Sequence, residues 1–323
     1  MPAAEGDVLS VRSTERPPRS RAKASAGEDR TKLVGHSRLT PYVLAAPSIV
    51  VVSVLLAFPV LYALWGSLFD TDSIGGPQRF VGIDQYTRLF TDPDFLWSIN
   101  RTVVFVTGTL IVGLTLGIAF AFPLNRAAGK LRFLRGLTIV PYLVSGITTA
   151  VIFRLILNRD FGQVNRVLEF FGLPEMSWFS NPNLAMLASI GAQVWSDLPL
   201  VILLILGGLQ TVDPSLTDAA DVDGATAWQR TWKISLPLVI PQLALATVLL
   251  SYQALTSLGV IVALTGGGPV NATRTLPIAL YETAFLHLRT NEALAIVVVI
   301  LALNAGLTLV YVGLSRRYDM VGN

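Results

Sequence analysis

Apolar residues in this chain run on in long blocks instead of alternating or recurring once per helical turn. Six such blocks stand out: Pro41 to Leu64, Thr102 to Leu124, Gly136 to Leu157, Leu184 to Leu209, Leu238 to Leu264 and Leu294 to Leu314. Only Arg154 and Asp197 are charged within them. Roughly 20 consecutive helical residues cross a hydrocarbon core, and a helix satisfies its own backbone groups in lipid. The pattern therefore predicts an all-α membrane protein with six transmembrane helices. Gly108, Gly113, Gly117, Pro141, Gly146, Pro199 and Pro241 fall inside the blocks. Small residues allow close helix approach, and proline kinks a helix where neighbours satisfy the freed carbonyl.

The segments between blocks complete the domain plan. Residues 1–40 contain Pro17-Pro18, scattered charges and few bulky apolar side chains. Such a segment buries too little surface to offset chain entropy, so it is predicted to be a disordered tail preceding a six-helix transmembrane domain over 41–323. The stretches Phe69 to Arg101 and Asn158 to Asn183 mix Pro, Gly, Trp and charge, and predict short amphipathic helices and turns at one membrane surface.

Composition sharpens this picture. Of 323 residues 52% are apolar and 14% charged, against about 25% charged in soluble domains. The absence of cysteine excludes a disulfide framework, thiolate metal sites and a Cys nucleophile. Basic residues lie in the tail and beside the blocks, where they act as topology signals, and nucleic acid is not an expected partner. With six spans both termini share a side. Placing them in the cytoplasm puts 16 of the 24 Lys and Arg residues inside, including the cluster Arg126, Lys130, Arg132 and Arg135. The expected location is the cell (plasma or inner) membrane, with both termini cytoplasmic.

Most catalytic chemistry is unsupported. His36 and His287 are isolated, no H-E-x-x-H or G-x-S-x-G arrangement occurs, and no G-x-x-x-x-G-K-S/T phosphate loop is present. The informative segment is Thr211 to Pro237. Asp213-Pro214 predicts a helix start, with a side-chain acceptor at the cap and a ring pre-set for the first helical position. Gly224 supplies a residue able to take positive φ, and a second helical stretch follows from Thr226. The result is a short helix–turn–helix elbow.

Within the elbow, Asp218-Ala219-Ala220, Gly224 and Ile234-x-Leu236-Pro237 resemble, spacing included, the EAA loop of permease subunits of binding-protein-dependent ABC importers. That family usually has Glu where this chain has Asp218. Leu264-Thr-Gly-Gly-Gly-Pro269 with Thr273-x-Thr275-Leu276, and Phe80-Val-Gly-Ile-Asp-Gln-Tyr86, are similar to outer segments of its carbohydrate subgroup, the maltose and glycerol-3-phosphate type. The resemblance implies the type I importer permease fold and a coupling role for residues 211–237. Asp218 would pair with a basic group of a separate ATPase, Ala219 and Ala220 would allow close approach, and Gly224 would make the turn. Ile234, Leu236 and Pro237 complete the motif. It also implies four partners: an ABC ATPase homodimer, a second homologous permease, an external solute-binding protein and the bilayer. No cofactor is expected on this chain, with ATP and Mg held by the ATPase.

An ionisable residue at membrane depth faces a cavity or a partner. Asp197 is thus a candidate for the substrate pathway, with Tyr142, Gln193, Trp195, Tyr252 and Gln253 as polar or aromatic companions; interhelical packing is the alternative for each. A proton- or sodium-coupled secondary carrier using Asp197 is a second functional reading. A third is a Mg-dependent prenyltransferase-like enzyme using Asp218, Asp221 and Asp223, which needs a second acidic cluster that the chain lacks.

Overall fold

A computed structural model describes residues 40–70, 79–126 and 132–319. Residues 1–39 of the predicted tail, and Lys130 of the basic cluster, lie outside the described residues. The chain divides into two compact units between Leu56 and Ala57. The first unit holds the opening turns of α1 (Thr40–Gly66), a helix apolar on every face, as a span should be. The contacts described below belong to the second unit.

Beyond α1, a two-residue hairpin pairs β1 (Phe69–Asp70) with β2 (Arg79–Phe80), antiparallel. Helix α2 (Asp84–Thr91) follows, then the long α3 (Pro93–Arg126). Next come α4 (Arg132–Thr138), a 3₁₀ turn at Val140–Leu143, α5 (Gly146–Ile156), α6 (Gln163–Phe170) and α7 (Pro182–Leu209). The elbow consists of α8 (Pro214–Val222) and α9 (Ala227–Arg230), and leads through a π turn to α10 (Leu236–Leu238) and α11 (Ile240–Leu255). The chain ends with α12 (Gly259–Leu264), α13 (Leu276–Tyr281), a second π turn and α14 (Thr290–Asp319).

Among the described residues, α1, α3, α7 and α14 are long and apolar enough to cross a membrane unbroken. Two bent pairs bring the number to as many as six if each is one span. Residues 136–143 and 146–156 meet at 98°, and 227–238 and 240–255 at 69°. The third predicted block is therefore broken in its middle, where Pro141 opens the 3₁₀ turn and the Ser145 hydroxyl caps α5 by accepting from the Thr148 N–H at 3.3 Å. The fifth block, read from the sequence as one helix from Leu238 to Leu264, stops at Leu255 and continues as the separate α12. There the Thr256 hydroxyl turns back to the Tyr252 carbonyl at 2.8 Å. Hydropathy could not reveal these breaks, because the residues on both sides remain apolar.

The core is the face shared by α3, α7 and α11. Gly108, Gly113 and Gly117 make it possible. A Cβ on them would stand 2.5 Å from Ile190, 2.7 Å from Leu250 and 2.4 Å from Val201, so α3 has bare backbone where its neighbours press closest. A second cluster joins α5 and α12 beside α7.

Both segments that resemble those of the carbohydrate subgroup have structural work. The Tyr86 hydroxyl pairs with that of Ser67 at 2.7 Å, and the buried Gln85 amide donates to the Phe69 carbonyl at 3.2 Å, tying α2 to the end of α1. In the glycine-rich loop Gly266 and Gly267 take φ +61° and +91°, a region that favours glycine. Thr273 closes the loop through Thr265, at 2.7 Å, and the Gly268 carbonyl, at 2.9 Å.

Next to that loop, Arg274 donates to Glu282 at 2.6 Å, to Ser98 Oγ at 2.8 Å and to the Asp94 carbonyl at 3.1 Å. Its side chain is only 14% exposed. Arg274→Ala strands a half-buried carboxylate and removes three charge-assisted bonds, so a loss of about 2 kcal/mol is expected. The check is the thermal unfolding midpoint of the detergent-solubilised complex. An unchanged midpoint would show that water replaces the staple at no cost.

Candidate functional site

The elbow is built by capping chemistry at each turn. Asp213 has extended backbone, and its carboxylate accepts from the Ser215 N–H at 2.9 Å, which holds its carboxyl below the usual range. Pro214 occupies the first position of α8. At the other end Gly224 takes φ +75°, and the Ala225 N–H returns to the Ala220 carbonyl at 2.9 Å, the closure that a left-handed residue permits. Thr226 then opens α9 with a capping box. Its hydroxyl accepts from the Gln229 N–H at 3.3 Å, and the Gln229 side chain accepts from the Thr226 N–H at 2.8 Å.

Long-range bonds make this hairpin one body with the bundle. Arg230 of α9 forms an ion pair with Asp221 of α8. Arg126, in the last turn of α3, donates to the Ala227 carbonyl at 3.0 Å and to the Thr231 hydroxyl at 2.7 Å. Leu236 packs with Leu209 and Val239 in the α3–α7–α11 core, Ile234 is half-buried, and Pro237 is exposed at the start of α10. The motif therefore divides. Ile234, Leu236 and Pro237 lie at the root of the elbow, whereas Asp218, Ala219 and Gly224 are exposed and Ala220 is buried.

The elbow also exposes Val222, at 89%, on α8 and Trp228, at 70%, on α9. An acid, small residues and bare apolar side chains on a capped hairpin form a surface fit for docking. Asp218 and Asp221 lie three residues apart on α8. The structure separates their tasks, because Asp221 is taken by Arg230 while Asp218 makes no ion pair among the described residues. The sequence marked Arg126 only as a topology signal and Arg230 not at all, since their partners lie 101 and nine residues away.

Of the six pathway candidates, Tyr142, Gln193, Asp197 and Gln253 come together. With Ser145, Ser196, Thr256 and Ser257 they line a cavity of about 570 Å³ between the α5 start, α7 and the turn after α11. Trp195 is set apart. It stands edge-on to Phe153 at 6.0 Å and borders a separate apolar cavity of about 460 Å³. Tyr252 is exposed on α11 and does not line the polar cavity. Ser257, which the sequence gave no reason to single out, donates to Gln193 Oε1 at 2.5 Å, and Gln193 donates in turn to Asp197 at 2.7 Å. Among the described residues no group of three His, Cys, Asp or Glu is placed to hold a metal ion, so Asp218, Asp221 and Asp223 do not converge.

Residues 113–320 match the family model for the binding-protein-dependent transport system inner membrane component. The chain belongs to this family. It is thus a permease subunit of an ABC importer, a transport protein of the membrane, and the carrier and prenyltransferase readings are set aside. The permease is 31% identical over 87% of its length to the sulfoquinovosyl glycerol transport system permease protein SmoG of Agrobacterium fabrum, covering 92% of that protein. It is 34% identical over 88% of its length to the sn-glycerol-3-phosphate transport system permease protein UgpA of Escherichia coli, covering 98% of it. A chain from the crystal structure of a bacterial alginate ABC transporter, in complex with an alginate pentasaccharide-bound periplasmic protein, superposes with a TM-score of 0.74. That match has 21% identity and covers 86% of this chain and 94% of the other, so it establishes the type I importer permease fold.

Proposed function

We propose that this permease forms, with a second permease, the membrane pathway of an ATP-driven importer for a sugar or related polyol. Two copies of an ABC ATPase drive it, and an external binding protein delivers the cargo. The relatives named for sulfoquinovosyl glycerol and sn-glycerol-3-phosphate support the carbohydrate assignment. The elbow carries the mechanism. Its exposed acid and small residues suit a groove on the ATPase, and its ties through Arg126 and Leu236 suit the transfer of ATPase closure into the bundle. A shift between inward-open and outward-open states requires contacts that differ between them.

In this reading the elbow and both termini are cytoplasmic, in keeping with the Lys and Arg distribution. ATP and Mg stay on the partner. The cavity around Asp197 is this chain's share of the pathway, with hydroxyls and amides able both to donate to and accept from sugar hydroxyls. Transport by the reconstituted importer in proteoliposomes tests the whole. Uptake is expected to require ATP and to persist when the proton gradient is collapsed. Uptake that continues without ATP and stops with the gradient would overturn it.

A further inference from the structure

Among the described residues, the lining of the polar cavity contains one acid, Asp197, and no Lys, Arg or His. Asp197 is 3% exposed, and its surroundings fix it as a hydrogen-bond acceptor. Ser257 donates to the Gln193 carbonyl oxygen at 2.5 Å, which orients the Gln193 amide so that its NH₂ faces Asp197 Oδ2 at 2.7 Å. The Gln253 side chain lines the same cavity. These partners are neutral, and no cation in the lining offsets the charge. Arg154, the basic residue of α5, points elsewhere, toward the Ala263 carbonyl.

We infer that this cavity is a charge filter, admitting neutral polyhydroxylated solutes and turning away those that carry phosphate, sulfonate or carboxylate. A neutral sugar can donate hydroxyls to Asp197 and exchange hydrogen bonds with Ser145, Ser196, Gln253 and Thr256, each of which lines the space. An anion brought within about 8 Å of the buried carboxylate, at an effective dielectric near 20, is disfavoured by at least about tenfold. As a statement about cargo, the inference rests on the cavity being part of the transport pathway.

The chain has no cysteine, so a single introduced thiol reports on the cavity. Thr256→Cys and Ser196→Cys, each made in the assembled importer, are exposed to methanethiosulfonate reagents that are neutral (methyl), cationic (aminoethyl) or anionic (sulfonatoethyl). Intact mass of this subunit gives the rates, normalised to those with a free thiol in solution. The anionic reagent is expected to react at least about tenfold more slowly than the neutral one at both positions, and Asp197→Asn is expected to erase the difference. Equal rates in the parent, or a difference that survives Asp197→Asn, would overturn the filter. Uptake after modification by the neutral reagent separates the two readings. If charge discrimination holds but transport is undisturbed by the blocked cavity, the electrostatics stand and the pathway assignment, with the cargo class drawn from it, falls.

Discussion

Asp218→Lys is expected to weaken association with the ATPase on the order of a hundredfold and to abolish uptake, while the six-span body still inserts. The acid is exposed on α8 beside Ala219, and makes no ion pair within the described chain. Its charge is therefore available to a partner. Reversing one member of a charge pair that becomes desolvated on docking costs about 2–5 kcal/mol. The local structure has no reason to suffer, because α8 is held by the Asp213 cap, by Gly224 and by the separate Asp221–Arg230 pair. Copurification of the ATPase with the affinity-tagged permease measures the effect, and Asp218→Glu provides the control that should retain it. Undiminished copurification and uptake with lysine would remove Asp218 from the coupling surface.

Gly117→Leu should damage the body instead of the elbow. The first carbon added would stand 2.4 Å from Val201 Cγ1 and 3.3 Å from Ile205 Cδ1. Both neighbours are fully enclosed, at 1% and 0% exposure, and cannot swing away. Overpacking of this kind costs about 1–3 kcal/mol, and four added carbons at a helix crossing place the variant at or beyond the upper end. The expected result is a markedly lower thermal midpoint and poor recovery from detergent, with Gly117→Ala intermediate. Gly136, around whose Cβ position nothing lies within 4 Å among the described residues, offers a comparison site at which Ala should be tolerated. Wild-type stability in Gly117→Leu would mean that α3 and α7 can separate at no cost.

These two outcomes probe features of differing legibility. The elbow was readable because each of its devices is local: Asp213 before Pro214, Gly224 at the turn, and Thr226 three residues before Gln229. The glycines of α3 were readable as small residues, but not as contacts of Ile190, Leu250 and Val201. The cavity was partly readable. A carboxylate within an apolar block pointed to Asp197, yet Tyr252 and Trp195, equally suggestive by type, lie outside the polar lining. Which face of a helix a side chain takes is set by neighbours, and a helix apolar on all sides gives no moment from which to read it.

The sequence alone determined that this chain lives in a membrane, how many times it can cross, and where its elbow begins, turns and ends. Those properties follow from block hydrophobicity and from caps that act over three or four residues. Only the tertiary structure decided where two of the crossings break, that Arg126 ties the elbow to α3, and that Ser257 and Gln193 hold Asp197 in a cavity whose described lining has no cation. Each of those joins groups far apart along the chain. Their energies depend on distances that exist only after the helices have packed.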